Sequence, residues 1–354
     1  MIIFDYNIFF LQKFGGISRY FVELCKQMSL NQIDYHIQSA IHQNYYLNEA
    51  SVNKSYNIYL KEYPRFTRRF ITSINKYFFY RNINRNNHKI FHNTYYGNFK
   101  LNKNITQIST IYDFTHEIFS KQYNYKENIK IEAIKNSNHL ICISENTKKD
   151  LIKFYNIKSK DVSVVYLGGD HLPKANKILK DKPFILYVGY RENYKNFDIL
   201  LKTFYSSPKL KKDFDIICFG GSQFNDDEIN KISKYGLTDL VKYISGDDQK
   251  LSDLYASASC HVITSKYEGF GITAIEAYNF GCPVIHTGKG SLAEVADMKS
   301  QYDGTYENLK FILEKFLYSN QDMKELSINT KKIKNKFTWA NCFNNTHVVY
   351  KKFL

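Results

Sequence analysis

Short apolar runs alternate along the chain with stretches whose apolar positions recur every three or four residues. In the second half the runs predict strands over Phe184–Val188, Phe214–Phe219, Val241–Ile244, His261–Thr264 and Val284–His286. Between them the helical spacing predicts helices over Asn196–Tyr205, Glu228–Tyr235, Leu251–Ser257, Thr273–Phe280 and Leu292–Asp297. Strand–helix–strand units repeated in this way imply a parallel, doubly wound sheet. The first half repeats the pattern with less contrast. Strands fit at Ile2–Tyr6, Lys89–His92, Gln107–Tyr112, His139–Ser144 and Ser163–Tyr166, and a helix at Ile17–Met28, where Ile17, Tyr20, Phe21 and Leu24 share a face.

The Lys-rich stretch His171–Pro183, bracketed by Pro173 and Pro183, reads as a linker. The chain therefore divides into an N-terminal α/β domain over residues 1–170 and a C-terminal one over residues 171–337. Residues 338–354 are expected to pack back on the first. Doubly wound sheets bind ligands at the carboxyl ends of their strands, so the informative side chains should follow strands, in a cleft between the domains.

Composition narrows the choice of partner. A chain of 354 residues is long enough for two cores. With 44% hydrophobic and 23% charged residues it is not a disordered tail or a fibre. Its net charge of +15 favours a polyanion, whether nucleic acid, anionic lipid or a diphosphate. The 30 Tyr and 27 Phe are too many to lie wholly inside. Cys25, Cys142, Cys218, Cys260, Cys282 and Cys342 are scattered singly, without zinc-ligand or disulfide spacing, and read as reduced, buried thiols of a cytoplasmic protein. The first residues have no signal-peptide pattern, and no stretch is long and apolar enough to cross a bilayer.

The most informative segment is Ser265-Lys266-Tyr267-Glu268-Gly269-Phe270-Gly271-Ile272-Thr273-Ala274-Ile275-Glu276. A strand ends, a Gly-x-Gly turn follows and a helix opens. Gly269 and Gly271 permit torsions closed to other residues, and the amides of the new helix form an anion site suited to phosphate. Glu268 precedes the turn and Glu276 lies about one turn inside the helix, so both carboxylates can address one pocket. A plain glycine-rich turn flanked by solvated glutamates is the alternative. The seven-residue spacing and the following strand Cys282-Pro283-Val284-Ile285 weigh against it.

The Glu-x7-Glu segment, continued by Ala-Tyr-Asn-Phe-Gly-Cys-Pro-Val-Ile, resembles the signature of retaining GT-B glycosyltransferases, most closely glycosyltransferase family four. Phe14-Gly15-Gly16-Ile17-Ser18-Arg19-Tyr20, Leu186-Tyr187-Val188-Gly189-Tyr190-Arg191 with Tyr194-Lys195-Asn196, and Ser291-Leu292-Ala293-Glu294-Val295 extend the resemblance over nearly the whole chain. It implies the GT-B fold, in which two Rossmann-like domains face each other across a cleft. It also implies transfer of a sugar from a nucleotide-sugar donor, UDP- or GDP-linked, with the anomeric configuration retained. Glu276 would hold the donor ribose, and Glu268 would address the transferred sugar. Arg191, Lys195, Gly16 and the backbone of Gly269, Phe270, Gly271, Ile272 and Thr273 would meet the diphosphate. No metal and no cofactor beyond the sugar nucleotide is expected. Asp247-Asp248 reads as a helix cap or a neighbour of the nucleobase. Many family members carry a His where this chain has Tyr112, so its role would pass to Tyr112, Asp113 or His116. His92 is a further cleft candidate.

Residues 65–85 interleave Arg65, Arg68, Arg69, Lys76 and Arg81 with Phe66, Phe70, Ile71, Ile74, Tyr77 and Phe78. Folded as a helix, the stretch gives an apolar stripe bordered by cations. That suits an anionic membrane surface or a lipid-diphosphate-linked acceptor, as in O-antigen or capsule synthesis at the inner face of the cytoplasmic membrane. A core-facing helix with a solvated basic face is the plainer reading. Nucleic-acid binding would leave Glu268 and Glu276 unexplained, because carboxylates repel phosphate, so no nucleic-acid partner is expected. A nucleotide-sugar epimerase of the same fold and a non-catalytic sugar-nucleotide or glycan-binding module are the remaining alternatives.

Overall fold

The computed structural model describes residues 1–55, 57–85, 88–121, 128–157, 161–176 and 182–354. Two compact units emerge. One comprises Met1–Phe114, Asn124–Gly168 and Trp339–Leu354, the other Thr115–Tyr123 and Gly169–Thr338. Residues 177–181 of the expected linker lie outside the described residues.

The first unit holds β1 (Ile2–Phe4), β2 (Tyr35–Gln38), β3 (Ile41–His42), β4 (Lys54–Ser55), β5 (Ile58–Tyr59), β6 (Ile90–Asn93), β7 (Thr106–Ile111), β8 (His139–Cys142) and β9 (Val162–Val164). Seven of these form a parallel sheet in the order β4-β2-β1-β6-β7-β8-β9, and β3 pairs with β5. The order reverses between β1 and β6. There Asp5 is fully buried and accepts from the amides of Asn7 (2.6 Å) and Thr94 (2.8 Å). Burial pushes its carboxyl up to about 6 against those hydrogen bonds. The closing helix Trp339–Lys351 packs on the helix Gly16–Leu30, with Trp339 against Tyr20.

Gly15 and Gly16, which on the sequence pattern follow the first strand and open the helix Ile17–Met28, do not follow it directly. The short helix Asn7–Leu11 intervenes after Asp5 turns the chain.

The second unit holds β10 (Phe184–Val188), β11 (Asp215–Phe219), β12 (Val241–Ile244), β13 (Cys260–Ile263) and β14 (Val284–His286), all parallel, in the order β12-β11-β10-β13-β14. Its central strands are buried on both faces, which is why they read as unbroken apolar runs. The core gathers Ile185, Leu200, Phe204, Ile216, Val262 and Leu313. The strand order reverses between β10 and β13. Chains leaving the carboxyl ends of those two strands diverge around a crevice, so the loops after β10 and β13 define the ligand-binding position of this unit.

Candidate active site

The loop after β10 is fastened to the loop after β13. Tyr187 donates its hydroxyl to the carbonyls of Tyr190 (3.0 Å) and Lys195 (3.4 Å), and Thr264 donates to the Lys195 carbonyl (2.6 Å). The Lys266 amide donates to the Tyr194 carbonyl at 2.8 Å. Lys195 ends a single 3-10 turn, Asn193–Lys195, and its ammonium meets the Glu268 carboxylate at 2.6 Å. Both side chains remain partly open, 23% and 17% exposed. Burial works against the Lys195 charge, but the Glu268 carboxylate and the Tyr194 ring outweigh it and hold the ammonium above the usual lysine range. The cation is thus fixed in the crevice in its charged form.

Glu268 is itself held by its main chain. Its carbonyl accepts from the Ser291 amide (3.0 Å) and hydroxyl (3.1 Å). Gly290, at φ +66°, lets that backbone come close, since a Cβ there would run into the Glu268 carbonyl. Gly271 sits at φ +84° and opens the helix Ile272–Asn279, whose first turn no side chain caps. The Phe270 side chain turns inward onto Phe337. A cation, a tethered carboxylate and a helix N-terminus therefore meet where strand order reverses, an arrangement that takes a phosphorylated ligand with a hydroxylated neighbour.

Glu276 lies deeper and is buried. One carboxylate oxygen accepts from the Tyr255 hydroxyl at 3.1 Å, and the other stands 3.4 Å from His171 Nε2. Neither Tyr255 nor His171 was singled out from sequence. Tyr255 lies in the last turn of the helix Asp248–Ser257 and His171 in the linker, so neither carries a local signal.

Arg191, expected to meet the diphosphate, has protein partners in this structure. Its guanidinium is buried and meets Glu228 through Nε (2.7 Å) and Nη2 (3.3 Å). It also donates to the carbonyls of Ser222 (2.5 Å), Gln223 (3.2 Å) and Gly220 (3.4 Å) and lies over the Phe224 ring. These contacts engage its donors with the loop after β11, where Glu228, in the capping box at Asn225, draws it inward. Asp247 caps the helix Asp248–Ser257 through the Lys250 amide.

The remaining candidates are spread across both units. His116 lies on the short helix Thr115–Ile118 of the second unit, just before Phe119, which stacks on Tyr194 (5.6 Å). Asp113 is in the first unit and accepts from Lys130 Nζ through its carbonyl (2.6 Å). Tyr112 is buried and donates to the Thr94 carbonyl (3.0 Å). His92 is no cleft residue. It is fully buried between Tyr350 (2.6 Å) and Thr110 (2.8 Å), with burial pushing its imidazole down to about 3, so it is neutral. Gly16 is exposed at the head of its helix in the first unit.

The helix Arg68–Arg85 is split between two environments. Ile71, Phe79 and Ile83 enter the core of the first unit, so Ile71 leaves the predicted outer stripe. Phe66 (99% exposed), Phe70 (68%) and Tyr77 stay outside, with Arg65, Arg69, Lys76 and Arg81 around them. Lys76, Tyr77, Tyr80 and Arg81 line a shallow cavity of about 500 Å³. Arg68 leans back over the rings of Phe10 and Tyr63. Among the described residues no helix is long and apolar enough to cross a membrane.

Two Rossmann-like units, one bearing a Glu-x7-Glu turn, define the GT-B class. Family models agree: Glycosyltransferase Family 4 matches residues 14–171, and Glycosyl transferases group 1 matches residues 169–333. The chain belongs to the GT-B glycosyltransferases, with one of these families represented in each half. It is 25% identical over 244 residues to the O-antigen chain mannosyltransferase B of Escherichia coli, covering 64% of each chain and so under two thirds of that relative's length. Sucrose-phosphate synthase from Thermosynechococcus elongatus shares the fold, with a TM-score of 0.76 at 17% identity over 99% of this chain and 98% of that one. So does Anabaena HepE, solved with UDP and glucose, with a TM-score of 0.74 at 13% identity over 99% of each chain.

Proposed function

We propose that the protein is a retaining glycosyltransferase that moves a sugar from a UDP- or GDP-sugar to a glycan or lipid-diphosphate-linked saccharide, in the synthesis of a surface polysaccharide. The observation that carries this is the Lys195–Glu268 pair beside the uncapped helix Ile272–Asn279, at the switch between β10 and β13. Lys195 and the helix amides take the diphosphate, Glu268 addresses the sugar, and Glu276 receives the ribose hydroxyls. The acceptor oxygen bonds to the anomeric carbon on the face the leaving group vacates. The bond from that carbon to the phosphate oxygen breaks, and that oxygen takes the acceptor proton. Charge growing on the diphosphate meets a fixed ammonium and helix dipole, with no metal needed. The mannosyltransferase likeness and the UDP held by HepE support the donor class.

A thermal-shift screen with UDP, GDP, ADP and dTDP tests the reading, followed by turnover of the matching sugar nucleotides. One diphosphate at about a hundred times its Kd should stabilise the protein by about 2.7 kcal/mol. Its sugar nucleotide should release nucleoside diphosphate in an acceptor-dependent way, with retained configuration by NMR. No shift with any of the four, or conversion of the sugar nucleotide without acceptor, would sink the proposal. The second outcome would favour an epimerase.

The exposed rings Phe66 and Phe70 among Arg65, Arg69, Lys76 and Arg81 fit an anionic membrane surface at the cytoplasmic face. At about 1 kcal/mol per basic residue near the bilayer, vesicles containing phosphatidylglycerol should retain the protein at low salt and release it at high salt. Phe66→Ser with Phe70→Ser should weaken retention. Equal recovery with and without anionic vesicles would refute membrane docking here.

A further inference from the structure

The first unit carries exposed rings that the transfer chemistry above does not use. Phe14, in the loop before the helix Gly16–Leu30, is 61% exposed, and Tyr45, which opens the short helix Tyr45–Glu49 after β3, is 38% exposed. Their centroids lie 5.3 Å apart at 34°, and Tyr46 meets Phe14 edge-on at 5.7 Å. Arg19 lies over the Tyr46 ring at 3.4 Å.

The rings stand on a fastened main chain. Buried Asn44 donates its Nδ2 to the carbonyls of Gln12 (2.9 Å) and Lys13 (3.4 Å). The Tyr45 amide donates to the Lys13 carbonyl at 3.0 Å, and Gln43 donates to the carbonyls of Phe10 and Leu11. An exposed phenyl ring on a chain tied down from both sides presents a persistent apolar face.

The surroundings select the ligand. Around the rings lie Gln12, the exposed Lys13–Glu62 ion pair (2.7 Å) and Glu49. This rim carries carboxylates as well as a cation, so it does not fit an anionic bilayer or a polyphosphate, unlike the helix Arg68–Arg85. A pyranose fits it. The sugar's C–H face packs against the electron-rich face of an aromatic ring, and its hydroxyls reach amides, ammonium and carboxylate at the rim.

We infer that Phe14 and Tyr45 form a stacking platform for a pyranose ring of the acceptor saccharide. The inference rests on the glycosyltransferase reading and assigns the acceptor's glycan part to a fixed position on the first unit.

Saturation-transfer NMR on the full chain tests it, with mannobiose, maltose, cellobiose and diacetylchitobiose as probes. At least one should receive saturation on its ring C–H protons. That signal should fall by about five- to tenfold in Phe14→Ala and in Tyr45→Ala and return in Phe14→Trp. The thermal shift with the preferred nucleoside diphosphate should stay unchanged in all three variants. Absence of saturation transfer to all four sugars, or signals that survive both alanine substitutions, overturns the platform. Absence of any nucleotide shift in the unmodified protein sinks the glycosyltransferase reading instead, so the two failures are separable.

Discussion

Lys195→Ala is expected to lower sugar transfer by about 10²–10³-fold while leaving the protein folded, the usual consequence of removing one preorganised group that stabilises charge in a transition state. The Lys195 side chain crosses no hydrophobic core. It reaches from a loop fixed by its own backbone carbonyl to the Glu268 carboxylate, and both groups keep contact with solvent. Deleting the ammonium leaves Glu268 partly hydrated rather than stranded, so the cost to stability should be small. The cost to chemistry should be large, because the leaving diphosphate then meets a carboxylate with no cation beside it. Glu268→Gln separates the two partners. It removes the acid's charge and keeps the side chain's shape, so it should also reduce turnover while the melting temperature barely moves. Initial rates at saturating donor, read beside a circular-dichroism melt, decide the matter. Rates near those of the unmodified protein in both variants would dismiss the pair from catalysis.

That the pair could be found from sequence has a physical cause. Central strands of a parallel sheet are covered on both faces, so β10, β11 and β13 stand out as apolar runs and end where Gly or a polar residue begins. Parallel topology then places the residues that follow at one edge, and Lys195 and Glu268 follow the two strands flanking the reversal. The first half was harder to read because β3, β4 and β5 have two residues each, too few for a period to show. The helix Asn7–Leu11 was missed for the same reason, which placed Gly15 and Gly16 wrongly after β1. The partners of Glu276 were invisible because contact between Tyr255, His171 and that carboxylate depends on tertiary packing. His92 illustrates the opposite error. A histidine after an apolar run looks like a cleft residue, but its strand extends to Asn93 and the ring lies inside the sheet's helical cover. Arg191 shows the limit most clearly, since its position at a strand end was legible and its pairing with Glu228 was not.

Arg191→Ala should therefore destabilise the protein by about 1–3 kcal/mol, the range seen when hydrogen-bond acceptors lose their donor. In a unit of this size that corresponds to a fall in melting temperature of roughly 5 °C. The guanidinium satisfies Glu228 and the carbonyls of Gly220, Ser222 and Gln223, so its loss leaves a half-buried carboxylate and several carbonyls without their donor. Arg191→Met with Glu228→Gln removes both charges at similar volume and should recover part of the loss, although Glu228 also accepts from the Asn225 amide (2.9 Å) and some capping will go with it. Donor binding supplies the independent reading. A loop loosened after β11 should raise KM for the sugar nucleotide and leave kcat close to that of the unmodified protein at a temperature where the variant is folded. A diphosphate ligand would behave in reverse, with kcat falling by orders of magnitude at an unchanged melting temperature. That second pattern would return Arg191 to the leaving group and require the guanidinium to exchange Glu228 for phosphate when the donor arrives.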